Sequence, residues 1–244
     1  MDHIPQKDTA KDMKHFNPKK HTTKRGFTML ELVIVIVVLG ILAAMAIPRM
    51  DRDMKQEAAD HILSQIRYTQ HLALNDYKHE FDNHLWQRRL WRIVFSSCAN
   101  STGKFYMIGS DDDRTGSTNG FFAESEAAID PVTGKPIFWR NADPCQGGGN
   151  GTVSEDIFLT HRFGITSVAN SCDNDANDDA AHIGFDHLGR PFHGSAFTNA
   201  NAVDYAGYAP NRCTFTFTLS DGNTFQIHVE PETGHAYIEG QESS

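Results

Sequence analysis

The sequence predicts an α+β chain, with one long N-terminal helix whose first half is apolar enough to cross a bilayer, then a β-rich domain. Three observations predict it. Sixteen uncharged residues run from Leu32 to Ile47. From Met50 onward, apolar residues recur at helical spacing. Beyond Asn83 that period gives way to short aromatic and β-branched runs, the last of which alternate strictly.

The first half of the helix covers Phe27–Ile47, 21 residues, and about 20 apolar residues suffice to span a bilayer. Its start reads Lys24-Arg25-Gly26-Phe27-Thr28-Met29-Leu30-Glu31. A charge inside a membrane span costs roughly 2.5–3.5 kcal/mol at the centre, so Glu31 implies a partner or a task. A secretory signal would carry a shorter apolar run, with its small cleavage residue after the run rather than before it. A plain single-pass anchor gives no reason for Glu31, and a buried core helix does not need sixteen uncharged residues. The second half carries the stripe Met50, Met54, Ala58, Ile62, Ile66, Ala73 and Tyr77, widened by Leu63 and Leu74. Steps of three, four and seven predict an amphipathic helix. The whole helix, from Phe27 to about Asp76, would be about 75 Å long at 1.5 Å per residue. Pro48 removes one backbone donor and should bend it.

The strands follow. Leu90–Phe95 reads as a strand and Lys104–Ile108 as its hairpin partner. Residues 110–120 and 141–152 read as loops. Pro136–Trp139, Asp156–Leu159, Gly164–Val168 and His182–Asp186 read as further strands, the last running into a turn at Leu188–Pro191. Thr214–Leu219 and Thr224–Val229 alternate around Asp221-Gly222, a strong hairpin signal. A second turn, Glu232-Thr233-Gly234, precedes Ala236–Ile238. The chain divides as 1–26 (leader), 27–47 (membrane half of the helix), 48–82 (amphipathic half) and 83–244 (β-rich domain).

Charge sets orientation. Residues 1–26 hold seven Lys or Arg against three Asp, a net of +4, and positive charge before a span favours the cytoplasmic side. The 218 residues after Gly26 carry 15 basic and 28 acidic side chains, a net of −13. That balance disfavours binding to a phosphate backbone. Arg88, Arg89 and Arg92 could form a local basic patch, but read more simply as solvated charges at a strand end. The four cysteines, Cys98, Cys145, Cys172 and Cys213, allow two disulfides in an oxidising compartment. Three connectivities are open. No C-x-x-C pair exists, which argues against a zinc knuckle or a thioredoxin-like site.

Other chemistry is thin. Asp173, Asp175 and Asn177 offer alternating oxygens as calcium loops do, though the Gly and Glu of an EF-hand are missing; a solvated acidic loop is the plainer reading. Asp111-Asp112-Asp113 is a second acidic cluster. His182, His187 and His193 would not share one strand face and read as scattered surface histidines. Ser195 is not in a G-x-S-x-G elbow, and there is no P-loop or Rossmann fingerprint. Nothing points to an enzyme or to a bound cofactor other than calcium.

The stretch from Lys24 to Glu31 with its apolar run resembles the class III (prepilin) signal of type IV pilins and type II secretion pseudopilins. The resemblance implies cleavage between Gly26 and Phe27 by a prepilin peptidase that also methylates the Phe27 amine. It implies pairing of Glu31 with a neighbouring subunit's N-terminus during filament assembly, and makes Pro48 the kink that many pilins carry. Ile183–Pro191 and the meander from Leu219 to Ile238 are similar to the GspH/FimT branch, whose members follow the helix with an antiparallel β-sandwich-like domain. Some pseudopilins bind calcium, chiefly in a different branch. The implied role is a minor pseudopilin of a type II secretion system: single-pass in the bacterial inner membrane, its domain in the periplasm, contacting membrane lipid, other pseudopilins or pilins, and the inner-membrane assembly platform. The rivals are a minor pilin of a type IV pilus serving adhesion, motility or DNA uptake, and a membrane-tethered periplasmic binding module. Leu219–Ser244 contains no Lys or Arg, which counts against the nucleic-acid binding known in FimT-type members.

Overall fold

The computed structural model describes residues 28–241 apart from 102, 116–120, 146–147, 173–180, 199–202 and 204; the side chains of 44–53, 101, 195 and 206 are also outside the description. The chain divides into two compact units, Met1–Ile47 and Pro48–Ser244.

Helix α1 runs Met29–Leu74. Pro48 lies within it, and the kink assigned to that residue falls among the side chains outside the description. From Leu30 to Leu42 every large apolar side chain is exposed, from 46% at Val35 to 71% at Leu30. A helix apolar on all sides needs an apolar surrounding. Among the described residues no helix is long and apolar enough to cross a membrane; the expected span also takes in Phe27 and the side chains of 44–47, which are not among them.

In the second unit α1 buries one face: Ala58, Ala59, Ile62, Leu63, Ile66, Thr69 and Ala73. This narrows the expected stripe. Met54 and Leu74 are exposed, and Tyr77 lies beyond the helix end and is also exposed. Fully burying a side chain such as Ile62 or Ile66 stabilises by about 1.5–3 kcal/mol.

Among the described residues eight strands follow: β1 (Trp91–Ser97), β2 (Lys104–Gly109), β3 (Ile165–Asn170), β4 (Ala181–Phe185), β5 (Pro191–His193), β6 (Cys213–Leu219), β7 (Thr224–Val229) and β8 (Ala236–Ile238). They form two four-stranded sheets, β2-β1-β4-β5 and β3-β6-β7-β8, in which every strand pairing is antiparallel. The expected β1–β2 hairpin is present. The strict alternation of β6 places Cys213, Phe215, Phe217 and Leu219 inward with three threonines between them. Phe95 of β1 meets Phe215 and Phe217 of β6 at 5.6 and 5.4 Å between ring centres, so the sheets share one core.

Two expected strands are absent. Asp156–Leu159 is a 3₁₀ turn (Glu155–Ile157) leading into helix α2 (Leu159–Phe163). Its three consecutive buried residues, Ile157, Phe158 and Leu159, fit a helical turn as well as a strand. Gly164 ends α2 in the left-handed region at φ 70°, the usual glycine stop. Pro136–Trp139 makes a single bridge, Pro136 with Ile129, rather than a strand. Strand β5 and helix α3 (Ser195–Thr198) were not expected at all.

The helix is tied to both sheets by polar contacts. His61 hydrogen-bonds the Tyr106 hydroxyl of β2 at 2.9 Å. Arg67 donates to the Ala236 carbonyl of β8 at 2.9 and 3.2 Å. Gln70 Nε2 donates to the carbonyls of Gly189 and Thr233 at 3.0 and 2.8 Å, so the two turns that close the β4–β5 and β7–β8 connections meet on one side chain. Gly234 stands at this junction with φ 63°, and a Cβ added there would lie 2.1 Å from the Gly189 oxygen. Gly234→Ala should therefore destabilise the domain by about 2–4 kcal/mol. Thermal unfolding of the full chain in detergent checks this; a melting temperature unchanged from wild type would contradict the packing described.

Candidate functional site: the apolar helix start and its single acid

Thr28 is the first described residue, and α1 begins one residue later. The Glu31 backbone N–H donates to Thr28 Oγ1 at 3.2 Å, and the Leu32 N–H to the Thr28 carbonyl at 3.2 Å. Thr28 is thus the N-cap and Glu31 the third helical residue. This fits the T-x-x-E pattern of a capping box, a local signal that the residue order alone carries. Glu31 is the acidic residue of the first turn, where negative charge is favoured by the helix dipole.

The Glu31 side chain is exposed, and among the described residues its carboxylate has no hydrogen-bond or ion-pair partner. It stands on a helix whose neighbouring side chains Leu30, Leu32, Val33, Ile34 and Val35 are all apolar and exposed. In an apolar surrounding a carboxylate must either gain a proton or gain a cation. The chemistry on offer is therefore protonation or pairing with a cation that the described residues do not supply. Gly26 and Phe27, the expected cleavage and methylation residues, lie outside the described residues.

The other expected groups lie elsewhere. Asp173, Asp175 and Asn177, the expected calcium ligands, fall outside the description. The cysteines pair as Cys98–Cys145 and Cys172–Cys213. Asp111, Asp113 and Glu126 bring one carboxylate oxygen each within 4.8 Å of one another. Their oxygens also serve the chain: Glu126 accepts from the Asp113 and Ala123 N–H groups, and Asp113 from Thr115. Asp112 is ion-paired with Lys78 at 2.7 Å and with Arg89 at 3.3 Å. Burial pushes its carboxyl up, but Lys78 and then Arg89 outweigh this and hold it below the ordinary value.

Two readings are corrected. The basic residues of the β1 region are neither a surface patch nor solvated. Arg92 is fully buried and Arg88 nearly so, while Arg89 is paired with Glu80 and Asp112. Arg92 donates to the carbonyls of Arg88 and Leu90 at 2.6 and 3.4 Å and lies over the rings of Phe122 and Phe197, at 5.3 and 5.0 Å. Burial pulls its guanidinium down to about 10, against the raising effect of Asp111 and Glu126. Of the three histidines read as surface groups, His182 is not one. His182 is fully buried on β4, stacked on Phe197, and His187 and His193 are half-buried. No metal cluster containing a histidine occurs among the described residues. Ser195 opens helix α3, and its side chain is outside the description.

Residues 22–47 match the family model described as the prokaryotic N-terminal methylation motif. The match takes in Gly26, Phe27 and Glu31 and supports a protein of type IV pilin or pseudopilin type in general, a class of structural subunits that a prepilin peptidase processes and that assemble with other pilins. No curated protein and no solved structure matches the chain.

Burial, and then the Arg92 cation, drive the His182 imidazole down to about 3. An unfolded histidine titrates near 6.5, so between these values only the unfolded chain binds the proton. The stabilisation is thus complete above pH 6.5 and is lost as pH falls towards 3, by about 2 kcal/mol at pH 5. Unfolding measured from pH 7.5 to 5.0 should show this loss in wild type and a flatter profile in His182→Phe. Equal slopes would mean that His182 is not held neutral.

Proposed function

We propose that the chain is a minor pseudopilin of a type II secretion system, of the GspH/FimT type. In this reading a prepilin peptidase cuts after Gly26 and methylates Phe27. The protein sits in the inner membrane through residues 27–47 and holds its β-sandwich domain in the periplasm. The observation that carries the reading is Glu31: a carboxylate with no partner among the described residues, in the first turn of a helix apolar on all sides, inside the matched methylation motif. A neighbouring subunit's N-terminal amine supplies the cation that Glu31 lacks. An ion pair shielded from water fixes register, because sliding by one residue would leave two uncompensated charges in an apolar medium.

Glu31→Ala and Glu31→Leu should insert and be cleaved normally but drop out of the filament. Immunoblots of the processed form beside sheared-filament fractions check this, and normal incorporation of either variant would sink the proposed role.

A strain lacking the protein separates the two machines. Loss of exported folded proteins with intact pili is expected for the secretion pseudopilus. Loss of pili or of DNA uptake with normal secretion would make the protein a minor pilin instead.

A further inference from the structure

The two disulfides are placed in opposite ways. Cys98 and Cys145 are both buried, 3% and 4% exposed, and the loop after the first is held by backbone bonds such as Ala99 N–H to the Asp143 carbonyl at 3.1 Å. The Cys172–Cys213 bridge is asymmetric. Cys213 is fully buried at the start of β6, whereas Cys172 is half-buried and lines an open cavity of about 220 Å³. Ser171, Pro210, Asn211, Arg212 and His193 line the same cavity. Cys172 thus stands between the core and the cavity, and Cys213 lies inside the core.

We infer that the Cys172–Cys213 bridge is a thiol–disulfide exchange site whose cavity admits the active-site segment of a dithiol oxidoreductase, with Cys172 as the sulfur attacked. Exchange goes by attack of a thiolate on one sulfur, so its rate depends on which sulfur is accessible. The partner's first thiolate attacks Cys172 Sγ and forms the mixed disulfide. The bond to Cys213 breaks, and Cys213 leaves with the electron pair and takes up a proton. The partner's second thiolate then attacks its own sulfur in the mixed disulfide and releases Cys172 as a thiolate. The bridge gains two electrons and two protons, and the partner's dithiol becomes a disulfide.

Two features make the exchange possible without unfolding. The strands that the bridge joins are also joined by hydrogen bonds: the Ser171 N–H donates to the Thr214 carbonyl at 3.0 Å, and the Thr214 N–H to Ser171 Oγ at 2.9 Å. Beyond them β3 pairs with β6 from Asn170–Phe215 back to Ile165–Leu219. The cavity rim also carries Arg212, a cation that favours an approaching thiolate, although its pairing with Glu230 at 2.7 Å reduces that effect. Access, rather than charge, selects Cys172.

The test uses the full processed chain in detergent. Under native conditions with graded dithiothreitol, followed by alkylation and peptide mass mapping, Cys172 and Cys213 should be labelled about tenfold or more sooner than Cys98 and Cys145. A thioredoxin-type protein with its second active-site cysteine replaced by Ser should be trapped on Cys172. Asn211→Trp, on the exposed rim, should lower the trapping rate about tenfold while changing dithiothreitol reduction about twofold at most, because the small thiol needs less room. Equal reduction of both bridges, earlier reduction of Cys98–Cys145, an adduct on any other cysteine, or trapping unaffected by Asn211→Trp would each overturn the inference.

Discussion

The face of α1 from Ala58 to Ala73 is the surface against which the domain is assembled. Its apolar side chains enter the same core as Phe95, Phe215 and Phe217, and its polar ones close what the sheets leave open. Strand β8 is an edge strand of three residues, with a carbonyl at Ala236 that would otherwise need another partner. Arg67 supplies it. Edges left bare invite pairing with other chains, so a helix laid against this one suppresses association as well as adding stability. Gln70 does the same for two turns at once, and Gly234 has no side chain because the Gly189 carbonyl occupies that space.

The same helix changes character along its length. Between Leu30 and Leu42 it presents apolar side chains on every side, whereas between Ala58 and Ala73 it presents one buried face, with polar residues such as Gln56 and Asp60 opposite. One helix therefore carries two different side-chain patterns. Those patterns are why the helix was the most legible part of the sequence.

Legibility then fell with the length of the repeating pattern. Strands β6 and β7 alternate over six or seven residues around Asp221-Gly222, and both were placed within a residue. Strand β5 and helix α3 have three and four residues, too few to show any period. Asp156–Leu159 is a short apolar run of the kind that helix and strand share. Arg92 and His182 were misplaced for a different reason. Their strands were recognised, but burial on both faces depends on what covers the sheet. That cover comes from Phe122 and Phe197, residues far away in sequence that no local pattern links to them. At the candidate site, the acid and the apolar helix were visible from composition. The N-cap at Thr28 was visible too, since a threonine three residues before a glutamate is a local signal. The disulfide pairing was not visible, because it is a property of the finished sandwich.

That pairing bears on how the domain is made. The bridges join the first cysteine to the second and the third to the fourth, so their loops lie one after the other along the chain, neither nested nor crossed. Of the three ways to join four thiols, this is the one in which every partner is the next thiol to arrive. A chain delivered amino end first to an oxidising compartment would expose Cys145 while Cys98 alone awaited it, and later Cys213 while Cys172 alone awaited it. Stepwise oxidation in order of emergence would then give the native bonds directly, and maturation would need an oxidant but no enzyme to reshuffle wrong pairs.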